Sequence, residues 1–106
     1  MALSNQQIRT LRAESHRLKL KPVVMIGQHG LSESVINELE STISHHELIK
    51  VRIPALEKSD KKALISSLCK QLNAEEIQNI GHVVVIFRQN PKSKRAESQH
   101  LAKILS

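Results

Sequence analysis

Two glycines separated by two polar residues form the segment best suited to contact a phosphate group, Gly27-Gln28-His29-Gly30. Glycine has no Cβ, so another molecule can approach its backbone closely. Gln28 and His29 add hydrogen-bonding side chains, and His29 can carry charge beside a phosphate. The alternative is a sharp turn in which the glycines only supply positive φ. The motif is too short for a nucleotide P-loop and lacks the third glycine of a dinucleotide fingerprint, so it does not indicate mononucleotide chemistry.

Basic residues are concentrated near the two ends of the 106-residue sequence. The net charge is +6, and residues 1–21 and 88–106 each carry +4, whereas residues 22–57 carry −3 and residues 58–87 carry +1. This uneven distribution favours a surface for a polyanion, with simple solvation as the alternative. The cations that we expect to extend the grip of the glycine loop are Arg12, Lys19, Lys21, Arg88, Lys92, Lys94 and Arg95.

Other reactive side chains do not form a recognisable catalytic or metal-binding pattern. The six histidines have neither a cysteine pair nor a His-Glu-x-x-His spacing beside them, and His45-His46 fits a helix end, where imidazolium suits the dipole. Cys69 is the single cysteine and lies on an apolar helical stripe, which indicates a buried thiol and a reducing, cytoplasmic compartment. We therefore expect no enzymatic activity, no metal and no cofactor.

The apolar periodicity predicts the order helix, strand, helix, strand, helix, strand, strand. Ser4 and Gln7 form a capping box that begins the first helix, and Pro22 ends it. Residues 1–20 also imitate a mitochondrial presequence, although Glu14 and the capping signals favour an ordinary helix. Ser32 or Ser34 caps the second helix and Ser59 the third. The predicted strands are 23–26, 47–53, 75–80 and 83–88, and residues 75–78 could instead prolong the third helix.

Strand-helix-strand crossovers are almost always right-handed, so the helices flanked by strands should share one face of the sheet. The predicted fold is therefore a two-layer α/β domain with a mixed four-stranded sheet over residues 1–90. Residues 91–106 begin with Pro91 and a basic run that has no apolar pattern. We expect them to form a mobile basic tail, with at most a short, weakly held helix at Ala96–Leu105.

Several segments together resemble the CRM domain (chloroplast RNA splicing and ribosome maturation) in its stand-alone bacterial YhbY-like form. The resemblance covers about residues 3–90. It rests on residues 18–22 leading into 23–26, on the loop 27–30, on residues 46–51, and on residues 80–81 and 85–88. It implies a fold similar to the C-terminal domain of translation initiation factor 3. It also implies binding of structured RNA, and for the bacterial form an association with large-subunit ribosome precursors. Family members usually have tyrosine where this chain has Phe87.

The aromatic content of the chain limits how RNA can be recognised. Phe87 is the only aromatic residue and lies within an apolar strand, where it is better explained as core than as a stacking platform. Recognition should therefore depend on phosphate, sugar and shape, with affinity that falls steeply as salt rises. The alternative hypothesis is a protein-interaction subunit whose basic surface binds an acidic protein. We expect a monomer in either case.

Overall fold

The computed structural model of the protein describes residues 3–27 and 29–105. Four strands and the first three helices follow one another in the predicted order, and a fourth helix lies at the C-terminal end. None of the helices in this described part is long and apolar enough to cross a membrane. The elements are α1 (Asn5–Arg17), β1 (Pro22–Met25), α2 (Glu33–His46), β2 (Leu48–Arg52), α3 (Lys58–Leu72), β3 (Glu75–Ile80), β4 (Val83–Phe87) and α4 (Ala96–Leu105).

The four strands form one mixed sheet in the order β1-β2-β4-β3. Strand β1 runs parallel to β2, and Met25 pairs with Arg52. Strand β4 runs antiparallel to both neighbours, and Val83 pairs with Arg52 on one side and Ile80 on the other. The predicted mixed four-stranded sheet is confirmed, and residues 75–80 form a strand, not a continuation of α3.

The two central strands, β2 and β4, contribute side chains to two separate apolar clusters on opposite faces of the sheet. One cluster joins the sheet face of Ile49, Val51 and Ile86 to helices α2 and α3, which confirms that the two helices flanked by strands share a face. The other cluster joins the opposite face to α1 and α4 through fully buried Leu11 and Phe87. The two predicted layers are thus supplemented by a third, partial layer of α1 and α4.

Helix α1 begins and ends with well-formed caps. The Ser4 hydroxyl accepts from the Gln7 amide at 3.1 Å and the Gln7 side chain accepts from the Ser4 amide at 2.9 Å, so the predicted capping box is confirmed. The helix ends before Pro22, because the Leu20 and Lys19 amides bond back to the carbonyls of Ser15 and His16. This closure puts Lys19 at φ 51°, the left-handed position that glycine usually occupies.

Three local predictions differ from the structure. Strand β1 begins at residue 22, one residue earlier than expected. Helix α3 begins at Lys58 with Glu57 as its N-cap, so Ser59 lies inside the first turn and does not cap it. Helix α4 packs against the rest of the domain with Leu101 only 3% exposed, because its apolar residues complete the second cluster. The docking of residues 96–105 was not predicted, and their mobility in solution stays a prediction.

Candidate nucleic-acid interface

The loop after β1 is a tight turn at one end of the sheet. The Gly30 amide donates to the Gly27 carbonyl at 3.0 Å, and the Ser32 amide donates to the Gly30 carbonyl at 3.1 Å. His29 is exposed, and Gln28 lies outside the described residues. The amides of Gly27 and His29 donate to no acceptor within residues 3–27 and 29–105. The turn therefore leaves backbone donors available for an external anion.

The two glycines of this loop are needed for different reasons. Gly30 has φ +75°, a conformation that a side chain disfavours, so the sharp turn explains its identity. Gly27 has no positive φ, and a Cβ built on it would meet nothing within 4 Å. Neither backbone conformation nor crowding in the described chain requires glycine at position 27. An open backbone that a ligand can approach closely is a physical reason for it.

Helix α2 begins at Glu33, three residues after Gly30, and its N-terminus contributes little to an anion site. The Ser32 hydroxyl caps the helix by accepting from the Val35 amide at 3.3 Å. Glu33 occupies the first turn, where a carboxylate already offsets the dipole. The donors best placed for a phosphate are therefore those of the loop itself.

A shallow groove of about 370 Å³ adjoins the loop. Strands β1 and β2 are parallel, and β4 is antiparallel to them. The loop after β1, the C-terminal end of β2 and the β3–β4 turn therefore lie at the same end of the sheet. The Ile53 amide donates to the His82 carbonyl at 2.8 Å and fixes that turn. Arg52 is exposed and lines the groove together with Gly27, so a basic residue adjoins the glycine loop.

The sheet face on the side of α1 is only partly covered. Its far half is closed by Leu11 and Leu101, whereas the half nearer the glycine loop is open. Met25 is 66% exposed and Ile80 is 60% exposed on this open half. Lys50 and Arg52 belong to it, because their side chains alternate with buried Ile49 and Val51. Sequence reasoning noted these two cations as one wetted strand face without including them in the site.

The predicted cations of the N-terminal segment border this same open face. Arg12, Lys19 and Lys21 are all exposed. Arg12 reaches over β3, with its Nη2 3.5 Å from the Ile77 carbonyl oxygen. Lys21 directly precedes Pro22, which pairs with Lys50 in the middle of β2. The structure therefore brings these three residues to one side of the sheet with Lys50 and Arg52.

Arg88 and Arg95 lie at the opposite end of the sheet. The strand from Val83, beside the glycine loop, to Arg88 spans roughly 17 Å. The Arg88 guanidinium donates to the Leu72 carbonyl at 2.8 Å and to the Ser44 hydroxyl at 2.6 Å, and it forms an ion pair with Glu40 at 2.5 Å. Arg95 donates to the His45 carbonyl. The structure does not bring these two arginines to the loop, while Lys92 and Lys94 are exposed at their end of the molecule.

A buried carboxylate stabilises the end of the sheet at which Arg88 lies. Glu47 is 1% exposed and has φ 66° between α2 and β2. Its Oε2 accepts from the Asn90 amide at 2.8 Å, and its backbone carbonyl accepts from the Arg88 amide at 2.9 Å. The Asn90 side chain donates to the Ser44 carbonyl at 2.8 Å. These contacts fix the chain that leaves β4 and explain why residues after Asn90 start from a defined position.

The pKa values of Cys69 and His46 are shifted for structural reasons. Burial raises the pKa of the Cys69 thiol to about 11, with smaller contributions from Glu76 and Glu75, so this thiol stays protonated at neutral pH. Burial, followed by the charges of His45 and Arg95, lowers the pKa of His46. The expected imidazolium at the end of α2 is thus disfavoured at His46, chiefly because burial penalises the charged ring and then because His45 and Arg95 add positive charge beside it.

The fold and the loop define a class, an α/β domain in which a Gly-x-x-Gly turn joins the edge strand of a mixed sheet to a helix. A sequence model of the CRS1/YhbY (CRM) domain matches residues 3–88. The chain belongs to this family, as the sequence resemblance predicted. The implied likeness to the C-terminal domain of translation initiation factor 3 stays a prediction.

Relatives over most of the chain carry names that refer to RNA. A probable RNA-binding protein of Pseudomonas aeruginosa is 38% identical over 95 residues, which cover 90% of this chain and 89% of that protein. An RNA-binding protein of Haemophilus influenzae is 37% identical over 92 residues, covering 87% and 91%. A solution structure from Staphylococcus aureus, presented as a candidate RNA-binding protein, has a TM-score of 0.73 and 34% identity, covering 90% of this chain and 94% of its own.

Proposed function

We propose that this protein is a non-enzymatic RNA-binding module that holds the phosphate backbone of structured ribosomal RNA with its glycine loop. In this proposal the loop amides and the side chains of Gln28 and His29 contact phosphate oxygens. The relatives from Pseudomonas aeruginosa and Haemophilus influenzae carry RNA-binding names, which supports RNA as the partner. The proposal also includes a monomer acting in the cytoplasm during assembly of the large ribosomal subunit.

One observation carries the choice of the loop, namely Gly27, a glycine that neither φ nor packing of the described residues requires. An approaching phosphate explains it, because a methyl group would hold the phosphate oxygens away from the backbone donors. Arg52 lines the groove beside Gly27 and supplies charge-assisted hydrogen bonds. Phosphate groups make good partners for this combination of backbone amides and a guanidinium.

Cations along the open sheet face extend the grip in this proposal. Lys19, Lys21, Lys50 and Arg52 are in no ion pair within the described part of the chain, so their charges are not neutralised internally. Arg88 and Arg95 are not among the proposed RNA contacts, because their guanidinium groups are occupied by contacts with α2. Lys92 and Lys94 make a separate, peripheral contribution to RNA binding in this proposal, from the end of the sheet opposite the glycine loop.

Replacing Gln28→Asp together with His29→Asp tests the loop directly. We expect affinity for a structured fragment of large-subunit ribosomal RNA to fall at least about a hundredfold, because two carboxylates repel the phosphate at contact distance. The melting temperature should change little, since His29 is exposed. The matched control is Gln6→Asp with Gln99→Asp, which changes the net charge equally at exposed sites outside the loop. Equal affinities of the two double variants would reject the loop as the phosphate site.

A salt titration separates this proposal from the alternative of an acidic protein partner. Each neutralised phosphate contributes a slope of about −0.7 to −0.9 to log affinity against log salt. Four or five contacts should therefore give a slope near −3 to −4 for the RNA fragment. Sequencing of RNA crosslinked to the protein in cells should then recover large-subunit ribosomal sequences. A flat salt dependence together with crosslinks to protein alone would favour the alternative.

A further inference from the structure

A second groove opens on the sheet face between the C-terminal part of α1 and the uncovered half of the strands. Its volume is about 270 Å³, below the roughly 300–1,000 Å³ of sites that take drug-sized ligands. The walls that come from Pro22, Ile80, Val83 and Val85 are apolar. A space of this size and character suits one flat, partly apolar group.

The rim of this groove is polar and basic. His16 from α1, Lys50 and Arg52 from β2, and Gln78 from β3 complete its lining. No carboxylate belongs to the lining in the described part of the chain. Apolar walls under a cationic rim match a nucleotide, whose base is apolar on its faces and whose phosphates are anionic, better than an acidic peptide side chain, which would put its charge into the apolar interior.

Arg52 connects this groove with the glycine loop. It lines both the 270 Å³ groove and the groove that contains Gly27. Met25 pairs with Arg52, so Gly27 lies two residues, roughly 7 Å, beyond the level of the Arg52 Cα. An RNA strand held at the loop therefore passes Arg52 within about one nucleotide.

Exposed apolar side chains are concentrated on the same side of the domain. Within the described residues, the large hydrophobic side chains that remain exposed are Leu18, Val23, Met25 and Ile80. Val23 and Met25 alternate with buried Val24 and Ile26 and so belong to the open face, and Leu18 ends the helix that packs on that face. A cluster of this kind beside cations indicates a contact surface.

We propose that this groove receives one unpaired base of the RNA whose backbone the glycine loop holds. The inference rests on the proposed function and adds a base-binding subsite to it. The Arg52 guanidinium stacks on the base, Ile80 and Val83 contact its other apolar surface, and Lys50 and His16 contact the flanking phosphates. Arginine planes stack on unpaired bases in RNA recognition, so the lack of an exposed aromatic does not prevent base binding. The subsite favours RNA with a bulged or looped nucleotide over a fully paired helix.

The test compares two RNA hairpins of equal phosphate number, one fully paired and one with a single bulged 2-aminopurine. We expect the full-length protein to bind the bulged hairpin about tenfold more tightly and to change the fluorescence of the 2-aminopurine. Arg52→Lys keeps the charge but removes the stacking plane, so the preference should fall to about twofold. Affinity for the paired hairpin should fall as well, because Arg52 also contacts phosphate in the proposed function, so the ratio of the two affinities is the measure of the subsite. Arg9→Lys, at an exposed site on α1, is the matched control and should leave both affinities unchanged.

Ile80→Ser is a second, charge-neutral variant that removes an apolar wall at a site already 60% exposed. It should lower the preference without lowering the slope of the salt dependence. Equal binding of both hairpins by the unaltered protein, or a full preference retained in both variants, would overturn the subsite while leaving the proposed function in place. Failure to bind either hairpin would remove both proposals. A dimer in sedimentation that Ile80→Ser dissociates would assign the face to a second copy of the chain and overturn the subsite.

Discussion

Gly27 and Gly30 bound the same turn, yet their backbones impose different requirements. Gly30 needs its missing side chain because its φ is +75°, whereas Gly27 adopts no such conformation and has open space around it. Sequence reasoning treated the pair as one motif, since spacing alone does not reveal φ. The distinction separates a glycine required for folding from one available for a ligand.

Alanine substitutions at the two positions should therefore have opposite consequences. Gly30→Ala should lower the free energy of unfolding by about 1 kcal/mol, because it places a side chain at positive φ. Gly27→Ala should change it by less than about 0.5 kcal/mol but weaken RNA binding about tenfold. Urea denaturation and fluorescence anisotropy measure the two effects. Unchanged RNA affinity in Gly27→Ala would contradict close approach of the phosphate.

Lys19 is a second residue at which folding and binding have different requirements. It occupies the left-handed position that closes α1, and its side chain is exposed beside the open face. Lys19→Gly should raise the free energy of unfolding by roughly 0.5–1 kcal/mol, since glycine is preferred there. The same change should reduce the magnitude of the salt slope of RNA binding by about 0.7–0.9. Lys19→Arg is the control, and a salt slope equal in Lys19→Gly and Lys19→Arg would exclude this contact.

At the scale of elements, Arg88 joins α2, α3 and β4 instead of contacting the loop. Its guanidinium satisfies the Leu72 carbonyl at the end of α3 and the Ser44 hydroxyl of α2. The sequence could not indicate this role, because a basic residue after the last strand resembles the exposed basic residues that follow it. The burial of Glu47 and the turn at Asn90 depend on contacts that are distant in sequence.

Arg88→Met should thus affect stability more than binding. Loss of the guanidinium leaves a partly buried carbonyl and hydroxyl without their donor, which should cost roughly 2–3 kcal/mol in unfolding free energy. RNA affinity measured well below the melting temperature should fall no more than about twofold. Lys92→Met is the comparison at an exposed site nearby. A large loss of affinity in a fully folded Arg88→Met protein would indicate that Arg88 contacts RNA.

Helix α4 is held on α1 partly by ionisable groups. Glu14 is 7% exposed, accepts from Arg17, and lies 3.1 Å from the His100 Nε2. The hydrogen bond from Arg17 is the main reason that the pKa of Glu14 is lowered, and burial opposes it. A lowered folded-state pKa stabilises the protein above the unfolded value of 4.5, and this stabilisation is lost as pH falls through the folded value.

Glu14→Gln should accordingly be less stable at pH 7 by about 1 kcal/mol. Its stability should fall less steeply than that of the unaltered protein below pH 4.5. Denaturant titrations between pH 7 and pH 3 measure both slopes, and Glu38→Gln at an exposed site is the control. Parallel acid profiles for the unaltered protein and Glu14→Gln would contradict a lowered pKa at Glu14.

At the scale of the whole molecule, the two basic ends of the sequence do not form one patch with the glycine loop. The N-terminal cations border the open sheet face, whereas Arg88 and Arg95 lie at the far end and contact α2. Periodicity predicted the order of the elements, since apolar residues recur at strand spacing from Ile49 to Ile53 and at helical spacing in α1 to α3. Strand order and the placement of α4 depend on long-range packing, so local patterns did not contain them.

The candidate site was predicted in part for the same reason. Its loop and the N-terminal cations follow from motif and charge, which are local properties. The involvement of Lys50 and Arg52 depends on how far α1 and α4 cover the sheet. That coverage is a property of the assembled domain, so the groove beside His16 became visible only in three dimensions.

In the proposed function, backbone donors of the glycine loop contact RNA phosphate. A titration of the ¹⁵N-labelled protein with a large-subunit ribosomal RNA fragment, followed by NMR of each backbone amide, tests it most directly. We expect the amide resonances of Gly27, His29 and Gly30 to shift first and furthest, with those around Lys50 and Arg52 following. Unmoved loop resonances, with shifts confined to the Arg88–Arg95 end, would contradict it.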